Sequence, residues 1–364
     1  MLKSFTAFLL ISFPLWVMGQ NLELLTKLNS QINESSGLIY LDGRLITHND
    51  SQGEAMLYEL DSLTGNVVRQ VEILNAVNTD WEDICYDEQY IYIGDFGNNN
   101  GNRTDLKIYR VSRQAYLEND AVTAEVISFN YSDQTDFSNA SPNAEFDAEA
   151  LIALGDSLYI FTKDWANLRT VVYPIPKVPG EYQLIKTDSL DIDGLATGAT
   201  VCSETGRILL SAYTILQPFI VSISEYEGNA FSQGSVQIIN VQTPTGYSYQ
   251  IEGIAAISHQ LVYLTAEENI LGDAALYKLG FNPTSIREIE HELIVIHPNP
   301  TSDYFQISTD QSVIAHIYNA VGQKVKTIHS KQVDVSDLPV GSYIIEICES
   351  SGQILSTQKL MIRR

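Results

Sequence analysis

Between Glu34 and Glu267 one short pattern recurs five times, and few folds can accommodate it. Each copy has a strand-length segment of small and apolar residues, a tight turn, a second segment rich in Tyr, Ile and Leu, and a polar loop. The first segments start at Glu34 (Glu-Ser-Ser-Gly-Leu-Ile-Tyr), Glu82 (Glu-Asp-Ile-Cys-Tyr), Glu149 (Glu-Ala-Leu-Ile-Ala), Thr197 (Thr-Gly-Ala-Thr-Val-Cys) and Glu252 (Glu-Gly-Ile-Ala-Ala-Ile). Their partners end at His48, Asp95, Lys163, Tyr213 and Glu267, and third strands such as Met56–Leu60, Leu106–Arg110 and Ala275–Leu279 follow. Alternating β-branched or aromatic and polar residues, punctuated by Asp42-Gly43, Thr64-Gly65, Gly155-Asp156 and Thr205-Gly206, read as strands and turns with little helical periodicity. Repeating β-meanders of this length predict an all-β chain folded as a β-propeller, whose radial packing leaves only short protected edges.

The copies start 48, 67, 48 and 55 residues apart. That spacing favours five blades, or six if the 67-residue interval hides a hairpin around Ala124–Phe129. The last copy lacks a fourth strand, which residues 21–28 can supply to close the ring. A β-sandwich is the other class sharing the short-strand signal.

The flanks have a different character. Residues 1–19 combine an early Lys3, an apolar run from Phe5 to Val17 and a small-residue cut after Gly19, the parts of a secretory signal peptide. No later stretch is long and apolar enough for a bilayer, so no transmembrane span is expected in the mature chain. A charged segment at 284–293 reads as a linker between a propeller at 20–283 and a second unit at 294–364. Some seven short alternating strands in that unit fit a small C-terminal β-sandwich. Cys85, Cys202 and Cys348 each sit in an apolar run, without metal-ligand spacing, and are expected as buried thiols.

Formal charge is −24, and nearly all of it lies ahead of residue 291. Such a field repels nucleic acid and anionic surfaces and attracts cations, so no nucleic-acid partner is expected.

The tail carries a recognisable order of motifs: Ile296-His297-Pro298-Asn299-Pro300, Ile317-Tyr318-Asn319-Ala320-Val321-Gly322-Gln323-Lys324-Val325, Leu338-Pro339-Val340-Gly341-Ser342-Tyr343 and Lys359-Leu360-Met361-Ile362. It closely resembles the type A C-terminal sorting domain of the type IX secretion system of Bacteroidetes. The resemblance implies passage through the periplasm and recognition of 294–364 by the outer-membrane translocon, ending in a secreted or surface location. Glu34-Ser-Ser-Gly-Leu-Ile-Tyr, Trp81-Glu82-Asp83-Ile84 and Tyr92-Ile93-Gly94-Asp95-Phe96-Gly97-Asn98-Asn99 resemble the SdiA-regulated and phytase-like propeller group, which implies the propeller fold over Glu34 to Phe281.

Antiparallel neighbours bring the start of each first strand and the end of each second strand to one mouth of the channel. That places Glu34, Glu82, Glu149 and Glu252 in a ring, with Thr197 at the fourth place. Around them come His48, Asp50, Asp83, Asp95, Asn98, Arg103, Lys163, Tyr213 and Glu267. Carboxylates so close repel unless they bind a cation, share protons or meet Lys and Arg partners. Glu34, Glu82, Glu149 and Glu252 are therefore the candidate metal ligands, and an oxygen-rich site suits Ca²⁺. Strand capping and ion pairing to Arg103 or Lys163 is the structural alternative. The Gly97–Arg103 loop matches neither an EF-hand nor a P-loop spacing, and no nucleophile elbow or zinc-binding His pattern occurs.

Two functions follow as expectations. One is an exported module that binds a small molecule or glycan, or acts as a scaffold, with a cation near the axis. The other is a calcium-dependent phosphoesterase or carboxylesterase-like hydrolase with Glu82, Glu149 and Glu252 as ligands or bases and Arg103 holding the anion.

Overall fold

The computed structural model describes residues 20–281 and 294–364, apart from 52, 215–216, 246, 249, 271, 310–312, 320–321 and 350–353. The signal peptide expected at 1–19 and the linker expected at 284–293 lie outside the described residues. No helix among the described residues is long and apolar enough to cross a membrane.

Among the described residues, five mainly antiparallel sheets form the blades, each starting at the axis with one of the recurrent first strands: Ser35–Leu41, Trp81–Tyr86, Ala148–Leu154, Leu195–Val201 and Ile251–Ser258. These innermost strands pack against one another in order, and the fifth meets the first, so the ring is closed. Five apolar layers fill the gaps between blades. Between blades 1 and 2, for instance, Ile39, Ile46 and Leu57 pack on Trp81, Ile84 and Tyr109. The layer joining blade 5 to blade 1 holds Leu28, Leu38, Leu45, Ala255 and Leu276. Because each layer draws on two blades, no blade buries its apolar faces alone, and the ring folds as a unit.

Glu23–Lys27 pairs antiparallel with Ala275–Gly280 and completes blade 5, so strands from opposite ends of the ring clasp one sheet. Gln20–Asn21 continues onto the outer edge of blade 4 in parallel. Ala124–Tyr131 forms the fourth strand of blade 2 and does not begin a sixth blade. The long interval is instead filled by the helix Arg113–Glu118, by Ala121–Val122 pairing onto blade 1, and by the irregular stretch 132–147. Gly180–Leu184, from the third repeat, adds a parallel strand to blade 2. Such added strands cover edges that would otherwise offer free N–H and C=O groups.

The described residues between 295 and 362 form two facing sheets. Val295–His297, Tyr304–Ser308 and Gln332–Asp334 make one; Lys324–Ile328, Val313–Tyr318, Gly341–Glu349 and Ile354–Ile362 make the other. Phe305, Ile307, Ile317, Ile345, Ile347 and Leu360 fill the space between them, giving the small sandwich. The three cysteines are free and buried.

Candidate ligand and metal site

The mouth is built by one hydrogen-bonding device repeated around the ring. In four blades the residue just after the second strand donates its backbone N–H to the residue just before the first. Asp50 bonds Glu34 at 2.9 Å, Phe96 bonds Asp80 at 3.1 Å, Lys163 bonds Asp147 at 2.7 Å and Glu267 bonds Gln250 at 3.3 Å. In the remaining blade, blade 4, Tyr213 pairs with Leu195. A β-bulge follows at the start of each first strand, between Ser35 and Leu38, Trp81 and Ile84, Ala148 and Ala150, Ala196 and Gly198, and Ile251 and Ile254. A bulge turns the strand and re-aims the extra residue. The re-aimed residues are Ser36, Glu82, Glu149, Thr197 and Glu252.

Three tiers result. Ser36, Glu82, Glu149, Thr197 and Glu252 form an inner ring, all buried. Two residues earlier on the same strand face stand Glu34, Asp80, Asp147, Leu195 and Gln250. Asp50, Phe96, Lys163, Tyr213 and Glu267 border them from the second strands.

This register corrects the sequence reading in blade 1. Ser36, and not Glu34, occupies the inner position, where its Oγ donates to the Glu82 carbonyl at 2.5 Å. Glu34 belongs to the outer tier and is exposed.

Of the predicted site residues, Asp50, Glu82, Glu149, Lys163, Tyr213, Glu252 and Glu267 are brought together. Asp80 and Asp147, which the repeat pattern does not single out, join them. Asp50, Asp80 and Glu82 each offer a carboxylate oxygen, all within 4.8 Å of one another. Gly97 abuts this trio so closely that a Cβ there would collide with Glu82 Oε1 and Asp80 Oδ2.

Lys163 is the buried ammonium of the cluster. Its Nζ lies 3.2 Å from Glu149 Oε1 and above the rings of Trp165 (5.2 Å) and Tyr213 (5.4 Å). Asp147 accepts from the Asn98 backbone at 2.6 Å and from Trp165 Nε1 at 3.0 Å. Gln250 donates to Glu252 at 2.9 Å and also to Glu267. Glu252 Oε2 is buried and meets no hydrogen-bond partner among the described residues; the nearby Thr197 hydroxyl donates to the Ile251 carbonyl instead.

The electrostatics follow from burial and crowding. Burial, then the charges of Asp80 and Glu252, push Asp50 up to about 7. Burial first also pushes Asp80 to about 6, despite Arg103, and Glu267 to about 8. Glu82 and Glu149 are raised well above the usual carboxylate range by burial, with neighbouring acids adding to it. Lys163 is held protonated: the surrounding carboxylates, Glu149 foremost, outweigh the burial that opposes its charge. One ammonium does not neutralise this many acids, and desolvation makes the imbalance expensive.

The other predicted residues have structural tasks. His48 is packed edge-on against Trp81 with ring centroids 5.6 Å apart; burial lowers it to about 4, so it stays neutral beneath the mouth. Asp83 lies deeper on the axis. Its Oδ2 accepts the N–H of Leu151 at 2.8 Å and of Ala199 at 2.9 Å, tying blade 2 to blades 3 and 4. Asp95 is fully buried and paired with Arg103 at 2.9 Å and Lys107 at 3.3 Å. Arg103 also reaches the Gly97 carbonyl and Asp105, so its guanidinium is committed. Asn98 braces the loop by donating to the Phe146 carbonyl and accepting from the Arg103 backbone.

Residues 295–363 match the secretion system C-terminal sorting domain. The protein is therefore exported by type IX secretion, to the cell surface or beyond it. The chain is also similar to Beta-agarase D of Zobellia galactanivorans, 34% identical over 73 residues, which is 20% of this chain and 15% of that protein. So short a share of the relative's length carries nothing of its named activity. Among solved structures, the PQQ-bound aldose sugar dehydrogenase of Streptomyces coelicolor is 12% identical with a TM-score of 0.40, over 71% of this chain and 98% of that one. A GH43_1 enzyme of Xanthomonas citri is 12% identical with a TM-score of 0.39, over 72% and 91%. The periplasmic gluconolactonase of Pseudomonas aeruginosa is 10% identical with a TM-score of 0.34, over 88% and 96%. The propeller assignment rests on the five sheets themselves.

Proposed function

We propose that this exported propeller is a ligand-binding module whose mouth holds a divalent cation, with Ca²⁺ the best match. The observation that carries the reading is the convergence of Asp50, Asp80 and Glu82 on a space 4.8 Å across. Calcium takes six to eight oxygen ligands in flexible geometry, and an all-carboxylate trio with an open side toward solvent suits it better than softer metals. The buried, unpartnered Glu252 oxygen nearby adds a second acceptor that water or a cation's hydration shell would satisfy. Within this reading the metal ligands are Asp50, Asp80 and Glu82. Glu149 and Glu252 stand beside Lys163 and serve as its counter-charges, and Glu34 drops out of the ligand set.

The test is calorimetric titration of the exported protein with calcium, backed by thermal melting in calcium and in chelator. Binding that saturates with one cation supports the reading; absence of any cation binding removes it. Glu82→Gln is expected to cut the calcium-induced rise in melting temperature to less than about a third. The same change should slightly raise the melting temperature in chelator, because a neutral amide relieves repulsion at a crowded acid. A Glu82→Gln protein that responds to calcium like the parent would place the cation elsewhere.

A second reading, the calcium-dependent hydrolase, has one observation in its favour. Glu149 and Glu267 have raised carboxyls close to the cation trio, as a general acid would require. A phosphatase and esterase screen distinguishes the two: calcium-dependent turnover lost in Glu149→Gln supports hydrolysis, and calcium binding without turnover supports the binding module.

A further inference from the structure

A small cavity of about 290 Å³ opens beside the cation trio and shares Asp80 with it. Its other walls come from Ser51, Thr79, Asn98, Asn99, Asn100, Asn102 and Arg103. Every lining residue carries a polar side chain. The side chains of Thr79, Asn99, Asn100 and Asn102 make no hydrogen bond among the described residues, so their donors and acceptors face the cavity or solvent. Arg103 brings no free charge, since Asp95, Asp105 and the Gly97 carbonyl engage its guanidinium.

From this lining we infer that the cavity is a subsite for one unit of a neutral carbohydrate, whose adjacent hydroxyls also complete the coordination of the cation. The inference rests on the cation reading above and adds the class of ligand. Amides and hydroxyls with mixed donor and acceptor capacity match sugar hydroxyls, which both give and accept hydrogen bonds. The volume lies just below the roughly 300–1,000 Å³ usual for ligand pockets, enough for a single pyranose ring. A phosphate, sulfate or uronate would find, beyond the cation, a mouth crowded with acids and no uncommitted basic group to receive it, so anionic ligands are disfavoured. Outside the cavity lining, but in the same mouth, the Glu252 Oε2 is buried with no hydrogen-bond partner and within electrostatic reach of Asp50.

The test uses the full exported protein on an array of neutral oligosaccharides (glucans, galactans, mannans and xylans) alongside sulfated and uronic acid glycans, in calcium and in chelator. The expected result is retention of at least one neutral glycan in calcium, with signal falling at least tenfold in chelator. The triple variant Asn99→Ala, Asn100→Ala, Asn102→Ala should lose that glycan by tenfold or more while its calorimetric calcium affinity stays within about twofold of the parent. Calcium binding with no neutral glycan retained, or retention only of anionic glycans, overturns this inference and leaves the cation reading intact. Failure of the parent to bind calcium overturns the cation reading itself. Glycan binding that ignores the chelator, or that survives the triple variant, also overturns the inference.

Discussion

Replacing Asp83 by alanine is expected to destabilise the propeller by about 3–6 kcal/mol, more than any single change at the mouth surface. The Asp83 carboxylate lies on the axis and accepts three backbone N–H groups, from Ile84, Leu151 and Ala199, two of them on other blades. Burial raises its carboxyl well above the usual range, and the three N–H donors work against that by favouring the charged form. Alanine leaves those donors buried and unsatisfied, at about 1–3 kcal/mol each. For a domain of this size roughly 2–4 °C is lost per kcal/mol, so melting should fall by about 6–24 °C. Asp83→Asn can keep its one oxygen toward Leu151 and Ala199 while facing its amide nitrogen toward Ile84, and should fall between parent and alanine. Melting of the alanine variant within about 2 °C of the parent would show that the axial carboxylate does not lock the blades.

Asp83 also shows where the sequence misleads. Its place directly after Glu82 suggests the mouth, but the bulge sends the two side chains different ways. Gly37 and Gly253 stand at the same bulge position in blades 1 and 5, and a Cβ at Gly37 would strike His48 Nε2 and the Ile84 nitrogen. Aligning Ser36-Gly37-Leu38 with Glu252-Gly253-Ile254 and Glu82-Asp83-Ile84 would have set the register of blade 1 and placed Glu34 in the outer tier. The same alignment exposes Asp80-Trp81-Glu82 and Asp147-Ala148-Glu149 as one acid-x-Glu signal, echoed by Gln250-Ile251-Glu252. Residues two apart on a strand share a face, so this spacing marks two stacked acids.

The hairpins themselves were legible because turn residues and alternation are local. The closure of blade 5 by Glu23–Lys27 was legible too, since a ring of meanders with one strand missing must find it elsewhere. The fates of His48, Asp95 and Arg103 were not. Whether a charged group reaches a ligand or a partner depends on Lys107, Trp81 and the Gly97 carbonyl, which only the folded ring brings near. The sorting domain is legible in the tail because its motifs are contiguous and need no tertiary context.

In chelator, the melting temperature is expected to fall as pH rises from 5 to 8.5, and saturating calcium should abolish that fall. Asp50, Asp80 and Glu267 titrate in the folded protein near 7, 6 and 8, against about 4 for an unfolded carboxyl. A folded value above the unfolded one means the native state binds the proton more tightly. The associated stability is complete below about pH 4 and is lost as pH climbs through 6, 7 and 8. Carboxyls held low by their partners, such as Asp61 and Asp105, change stability in the opposite sense, do so below pH 4, and leave this window untouched. A carboxyl whose titration midpoint moves tenfold in proton concentration on folding changes stability by about 1.4 kcal/mol. Repulsion shared among neighbours makes the sum smaller than its parts, and a loss of about 4 kcal/mol between pH 5 and 8.5 is expected. That corresponds to a fall of roughly 8–16 °C. Calcium binds only deprotonated ligands, so its affinity rises over the same interval and offsets the repulsion it neutralises. A chelated protein whose melting stays flat or rises across this range, with no response to calcium, would mean that these acids do not meet at the mouth.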